Sequence, residues 1–347
     1  MNQNTMLAVV KARPQRGGEL TRVAVPQCQP HEVLVRLRAT SVCGTDVHIY
    51  HWDQWAQHRL TLPRILGHEA AGEVVEVGRE VQGIAVGDLV SAETHIPCGH
   101  CYQCRTGKPE SCQRLKILGI DTDGAFAEYV ALPEIDVWKN DPVIPLECTA
   151  IQEPLGNAID TVLAEDVAGK TVLVTGCGPI GLLAIGIARA AGATSIFATE
   201  VSPFRRQLAT RMGATQVWNP LEVDVVEAVR EMTDGKGADV LLEMSGKAQA
   251  LQHGLQALTQ GGRVSLLGLF ARPVSLDLST QVILKDVRLY GITGRHMFAT
   301  WYKAARFLKA GRLDPSPILT HRLPLCAFDQ AMELITQGEC GKVILLP

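Results

Sequence analysis

The chain has no run of about 18 consecutive apolar residues, the minimum for a helix that crosses a bilayer. Its first residues, Met1-Asn-Gln-Asn-Thr-Met6, form neither a basic n-region nor a long apolar h-region, so no secretory leader is expected. An excess of charge is missing too. Lys and Arg number 33 against 36 Asp and Glu, a net charge of -3. That balance gives no electrostatic reason to bind nucleic acid or a membrane surface. There is no internal repeat and no low-complexity linker. Ten cysteines are present, but without the framework spacing of a small disulfide-stapled protein, because four of them fall within residues 98–112. Of the other six, Cys28, Cys148, Cys177, Cys326 and Cys340 read as buried small hydrophobes or inert thiols, and Cys43 alone has a chemical context. A reducing cytoplasm fits this usage.

What is present is enough for more than one core. A chain of 347 residues leads one to expect two domains, and its 46% hydrophobic and 20% charged residues are ordinary for a folded soluble protein. Residues 6–92 read as short strands punctuated by Gly and Pro, at 6–11, 31–39, 72–77 and 88–91, which suggests an all-β, barrel-like unit. A cysteine-rich lobe at 95–115 and a further strand at 125–132 follow. From about residue 155 strands and helices alternate through 287–290. Six strands with intervening helices fit an α/β, doubly wound parallel sheet. The division expected is 1–154 with 294–347 for one domain and 155–293 for the other.

Cys98-Gly-His-Cys101-Tyr-Gln-Cys104, with Cys112 eight residues on, offers four thiols to one metal. A tetrahedral zinc with four cysteine ligands has no open position, so it would hold a loop and do no chemistry.

Gly176-Cys-Gly178-Pro-Ile-Gly181 follows the strand Thr171–Thr175 and opens a helix, as a dinucleotide loop requires. Such glycines let the backbone approach a pyrophosphate at a helix N-terminus. Glu200, nineteen residues after Gly181, can accept from ribose hydroxyls and repel a 2′-phosphate, which favours NAD over NADP. Arg205 is the opposing hint, since it could pair with that phosphate or stack on adenine. The bland reading of this loop is an ordinary glycine turn.

A second set of zinc donors is spread along the chain. Cys43 lies in Ser-Val-Cys-Gly-Thr-Asp, His68 and Glu69 in Leu-Gly-His-Glu-Ala-Ala-Gly, and Glu153 in Gln-Glu-Pro-Leu-Gly-Asn. Thiolate, imidazole and carboxylate all ligate zinc, and catalytic sites use about three protein ligands with one open position. Taken singly, Cys43 reads equally as core, and either glutamate as a surface carboxylate.

Cys-Gly-Thr-Asp-x-His, Gly-His-Glu-x-x-Gly, the four-cysteine lobe and the glycine loop appear in the order found in zinc-dependent medium-chain alcohol dehydrogenases. The chain resembles that family over essentially its whole length. The stretches 48–53, 152–158, 242–246, 294–302, 320–322 and 338–344 resemble its threonine-oxidising branch. The resemblance implies a GroES-like catalytic domain beside a Rossmann domain, NAD as cofactor, two zinc ions per chain and a homotetramer. It implies that Cys43, His68 and Glu69 contact the catalytic zinc, with Glu153 exchanging with water or substrate or sitting just outside the shell. Cys98, Cys101, Cys104 and Cys112 would hold the structural zinc. Thr45 and His48 resemble the family's proton relay, and their spacing of three puts them on one face if the segment is helical. Ile180, Glu200, Arg205, Leu267, Gly268, Leu269, Gly291 and Ile292 match NAD-contacting positions. Many relatives carry Asp where this chain has Glu200, and the longer side chain can still reach ribose. The expected reaction is hydride transfer from the secondary hydroxyl of L-threonine. Polyol and butanediol dehydrogenases share most of these ligands, and a non-catalytic nucleotide-binding protein is the rival from another class.

Overall fold

The computed structural model describes residues 4–347. Met1–Gln3, the start of the stretch read for a leader, lie outside the described residues. The chain packs as two compact units, one running up to Glu153 and resuming over Leu319–Pro347, the other spanning Pro154–Ile318.

The first unit is built largely of antiparallel strands. Glu32–Ser41 is its spine, paired with Glu69–Val77 on one edge and, at its end, with Lys342–Leu346 on the other. The sheet continues through Leu89–Ala92 and Val137–Lys139 on one side and Leu319–Pro324 on the other, and Tyr129–Pro133 also pairs with the spine. Alternation drives this arrangement. Val33, Val35 and Leu37 point into one core with Val74, Val90, Val130 and Leu132. Register matters for the site, because Ser41 sits opposite Glu69 on one side and opposite Ile344 on the other. The strand beginning at Glu69 starts three residues earlier than the 72–77 expected from the sequence. Ala70 and Ala71 are small, weak strand formers, but both are buried between neighbours.

The second unit is a six-stranded parallel sheet in the order Gln216–Trp218, Ser195–Thr199, Thr171–Thr175, Ala238–Glu243, Leu258–Leu266, Arg288–Gly291. In chain order this is 3-2-1-4-5-6, the doubly wound dinucleotide arrangement. All six strands expected from the sequence are present. The helix after the first strand spans Pro179–Ala190, with Pro179 preset for its first turn, and it buries every residue from Gly181 to Ala188. Residues 294–318 also pack in this unit rather than in the first. Helix Ala299–Lys309 buries Thr300, Trp301 and Ala304, and the Thr300 hydroxyl donates to Asp160 at 2.6 Å. Among the described residues no helix is long and apolar enough to cross a membrane.

Candidate active site

Three of the four open-site donors converge. Ligand atoms of Cys43, His68 and Glu69 all lie within 4.8 Å of one another. Cys43 caps the N-terminus of helix Gly44–His51, while His68 and Glu69 stand at the start of the neighbouring strand. Glu153 is buried at the start of helix Gln152–Val162 but does not join the trio.

The surroundings suit a cation. Asp46 is fully buried; one carboxylate oxygen accepts from the Cys43 amide at 2.9 Å and the other lies 3.7 Å from His68 Nδ1. Burial alone would push the His68 imidazole down, yet Asp46, Cys43 and Glu69 together push it up to about 10. A buried imidazole among a thiol and two carboxylates favours positive charge, which a divalent metal can supply. Glu69 divides its carboxylate. Oε2 accepts from Lys342 Nζ and from the Ser41 hydroxyl, while Oε1 is buried with no hydrogen-bond partner. That orphaned oxygen, one thiol and one imidazole make three donors of the kind zinc takes, so these residues fit the metal. Lys342 is itself buried. Desolvation opposes its charge, but Glu69, Cys43 and Glu153 outweigh it and raise its pKa.

Thr45 and His48 share helix Gly44–His51, and the Thr45 hydroxyl lies 3.8 Å from Cys43 Sγ. His48 is exposed, and its Nδ1 meets Asp53 at 2.6 Å. His95 is buried in the short strand His95–Ile96.

The lobe cysteines form the second cluster, and all four are free thiols. Cys101 Sγ lies 3.5 Å from Cys104 Sγ and 3.7 Å from Cys112 Sγ. Ligands on a tetrahedron of about 2.3 Å zinc–sulfur bonds stand about 3.8 Å apart, whereas a disulfide needs about 2.05 Å. Backbone amides prepare the thiolates. The His100 amide draws the Cys98 thiol down to about 7 and the Cys104 amide draws Cys101 down to about 6, while burial pushes Cys104 up to about 12. Two further amides, of Cys98 and Arg114, donate to Cys112 Sγ at 3.3 Å. The donor set fits a closed zinc site.

The glycine loop leaves the central strand as expected. Gly176 has φ +89°, and a Cβ at Gly181 would stand 2.0 Å from the Gly176 carbonyl oxygen, so side chains are excluded at both. A Cβ at Gly178 would meet nothing within 4 Å, which leaves the helix N-terminus open to a pyrophosphate. Glu200 directly follows the second strand and is buried. Its two oxygens accept from the Cys177 and Ser202 amides at 2.8 and 2.9 Å, and lone pairs remain for ribose hydroxyls. Arg205 lies in the first turn of the following helix, where its amide meets the capping Ser202 hydroxyl. Leu267 and Gly268 donate their amides to the Glu243 carbonyl, Ile292 donates to Leu266, and Leu269 is almost wholly exposed.

Residues 29–143 match the alcohol dehydrogenase GroES-like domain family, and residues 179–310 match the zinc-binding dehydrogenase family. The L-threonine 3-dehydrogenase of Pyrococcus furiosus is 54% identical over 342 residues, 98% of each chain. The chain belongs to the zinc-binding alcohol dehydrogenases. Among solved members, alcohol dehydrogenase TADH from Thermus sp. ATN1 superimposes with a TM-score of 0.89 at 32% identity, over 98% of this chain and 99% of that one. The 2R,3R-butanediol dehydrogenase of Bacillus subtilis gives 0.90 at 28%, over 99% of each. The first matched segment of the dehydrogenase contains Cys43, Thr45, His48, His68, Glu69 and the lobe; the second contains Ile180 through Ile292.

Four residues that shape these sites were not singled out from the sequence. Asp46 and Asp53 stand inside quoted motifs, and their spacing from Cys43 and His48 was a usable signal. Lys342 is 273 positions from Glu69, and only the pairing of the last strand brings them together. Glu243 is a buried carboxylate whose burial raises its pKa; it accepts from the Ser245 and Gly246 amides and so fixes the turn after its strand.

Proposed function

We propose that this dehydrogenase is an NAD-dependent L-threonine 3-dehydrogenase that converts L-threonine to 2-amino-3-oxobutanoate, working in the cytoplasm as a homotetramer. The observation that carries this reading is the 54% identity, over nearly the whole of both chains, to an enzyme of that name. Cys43, His68 and Glu69 would hold the catalytic zinc, and the four lobe cysteines the structural one. Bound zinc supplies Lewis acidity that makes a hydroxyl acidic, and bound NAD supplies the hydride acceptor. The remaining work falls to side chains. Asp46 places a buried negative charge 3.7 Å from His68 Nδ1, beyond hydrogen-bond reach, and so favours positive charge at the imidazole rather than fixing its orientation. Lys342 and Ser41 hold Glu69 by one oxygen and leave the other for the metal. Thr45 would accept the substrate's proton as its own hydroxyl proton moves on toward His48, which is exposed on the same helix and passes a proton to water. Glu153, buried but outside the trio, would exchange with water or substrate or sit just outside the shell.

Substrate identity is tested by comparing kcat/KM for NAD reduction with L-threonine, 2,3-butanediol and sorbitol. L-Threonine is expected to be preferred by at least about a hundredfold, since a site that hydrogen-bonds an ammonium and a carboxylate rejects analogues lacking them. A preference for the diol or the polyol would replace this reading with a butanediol or sorbitol-type dehydrogenase. Cofactor choice is expected to follow Glu200. Glu200→Ala removes both the ribose acceptor and the repulsion of a 2′-phosphate, so the NAD to NADP ratio of kcat/KM should fall by at least about tenfold. An unmodified enzyme equally efficient with NADP would overturn the assignment.

A further inference from the structure

We infer that Asp53 is the positioning residue for His48, holding the imidazole with its proton on Nδ1 and Nε2 as the proton acceptor. The inference rests on the relay reading of Thr45 and His48. Helix Gly44–His51 ends at Trp52, whose left-handed conformation (φ 54°, ψ 46°) folds the chain back on itself, and the Asp53 amide then reaches the His48 carbonyl at 3.3 Å. The reversal places the Asp53 carboxylate against the ring. Oδ2 meets His48 Nδ1 at 2.6 Å, and Oδ1 accepts from the Ala56 amide at 3.0 Å, capping helix Gln54–Arg59. The carboxylate is therefore pinned from one side while it holds the ring from the other. Burial is the largest single influence and raises its pKa, but the Ala56 and Trp55 amides and His48 together outweigh it and keep it below the ordinary carboxylate range. The Trp55 ring of the same helix lies 6.0 Å from the imidazole and supplies an uncharged second wall.

Other charged groups nearby are engaged elsewhere. On the helix of His48, Asp46 faces Cys43 and His68, and the His51 ring packs on Tyr50. On helix Phe328–Gln337, which packs against it, Asp329 acts on Tyr50. Asp53 is the one anion that meets the His48 ring among the described residues. A carboxylate accepts hydrogen bonds and cannot donate when ionised, so it selects the tautomer with the proton on Nδ1. Nε2 is then free to take a proton from the substrate side. This is the division of labour between an orienting carboxylate and a histidine base in hydrolytic triads, reached here in a two-residue relay on one helix.

Asp53→Asn separates the roles. Asn caps a helix about as well as Asp, so the second helix survives. With its carbonyl on the Ala56 amide, its NH2 faces His48 Nδ1 and donates to it, which drives the ring proton to Nε2. Asp53→Ser keeps a cap but is too short to hold the ring, and serves if the first variant folds poorly. In the zinc- and NAD-loaded enzyme, 15N spectra of the imidazole should show Nδ1–H in the parent and Nε2–H in Asp53→Asn. The kcat for L-threonine oxidation should fall by about tenfold or more, with KM within about twofold and thermal stability unchanged. Parent-like kcat in Asp53→Asn and Asp53→Ser, or an unchanged tautomer in Asp53→Asn, would overturn the inference. His48→Asn, measured alongside, distinguishes the two levels. If it slows oxidation while the Asp53 variants do not, only the role of Asp53 fails; if it leaves kcat unchanged, the relay reading itself fails.

Discussion

Lys342→Met is expected to destabilise the zinc-free protein by about 3–5 kcal/mol, because it leaves Glu69 as a buried charge without its counter-ion. Lys342 and Glu69 are 2% and 0% exposed at the side chain, so solvent cannot stand in for the missing ammonium. The lost group also donates to the Val42 carbonyl at 2.9 Å, one residue before the Cys43 ligand. Zinc should offset part of the loss, since a divalent ion beside Glu69 restores positive charge. Denaturant unfolding of parent and variant, each with and without added zinc, reads both effects. A loss under about 1 kcal/mol in the metal-free state would mean that the pair is screened like a surface one.

The second large effect concerns the lobe. Cys98→Ser should remove one zinc per chain and lower stability before it alters the chemistry. Structural zinc contributes on the order of 10 kcal/mol to the folding of isolated finger peptides. The lobe is anchored in a larger unit and needs only part of that, so a fall in Tm on the order of 10 °C is expected. NAD reduction at low temperature, measured on folded protein, should stay within a few-fold of the parent, because the lobe zinc has no open position. Full zinc content with unchanged Tm would show that these thiols are not a metal site.

The parts of the fold legible in the sequence were those with local signals. The strand Thr171–Thr175, the glycine loop and the apolar helix after it announce themselves within about twenty residues, and the doubly wound order follows from that alternation. The lobe was legible for the same reason, with four thiols inside one loop that the fold brings together. What stayed hidden was non-local. Lys342 reads as an ordinary strand-edge lysine until Ile344 is paired with Ser41 and Ser41 with Glu69. The boundary near residue 294 was misplaced because the helix over Ala299–Lys309 is amphipathic and could cover either unit; its Thr300 contact to Asp160 decides which. Asp53 offered only its spacing of five from His48, because the left-handed turn at Trp52 that folds it back carries no glycine to mark the reversal.

The central claim is that the chain holds two zinc sites of different kinds, and that Cys43, His68 and Glu69 form the one where chemistry occurs. Zinc content and L-threonine-dependent NADH formation in Cys43→Ser test it most directly. The account predicts two zinc ions per parent chain and one in the variant, with the lobe intact, a Tm close to the parent's and oxidation lost by at least about a thousandfold. Retention of both zinc ions with parent-like turnover would contradict it.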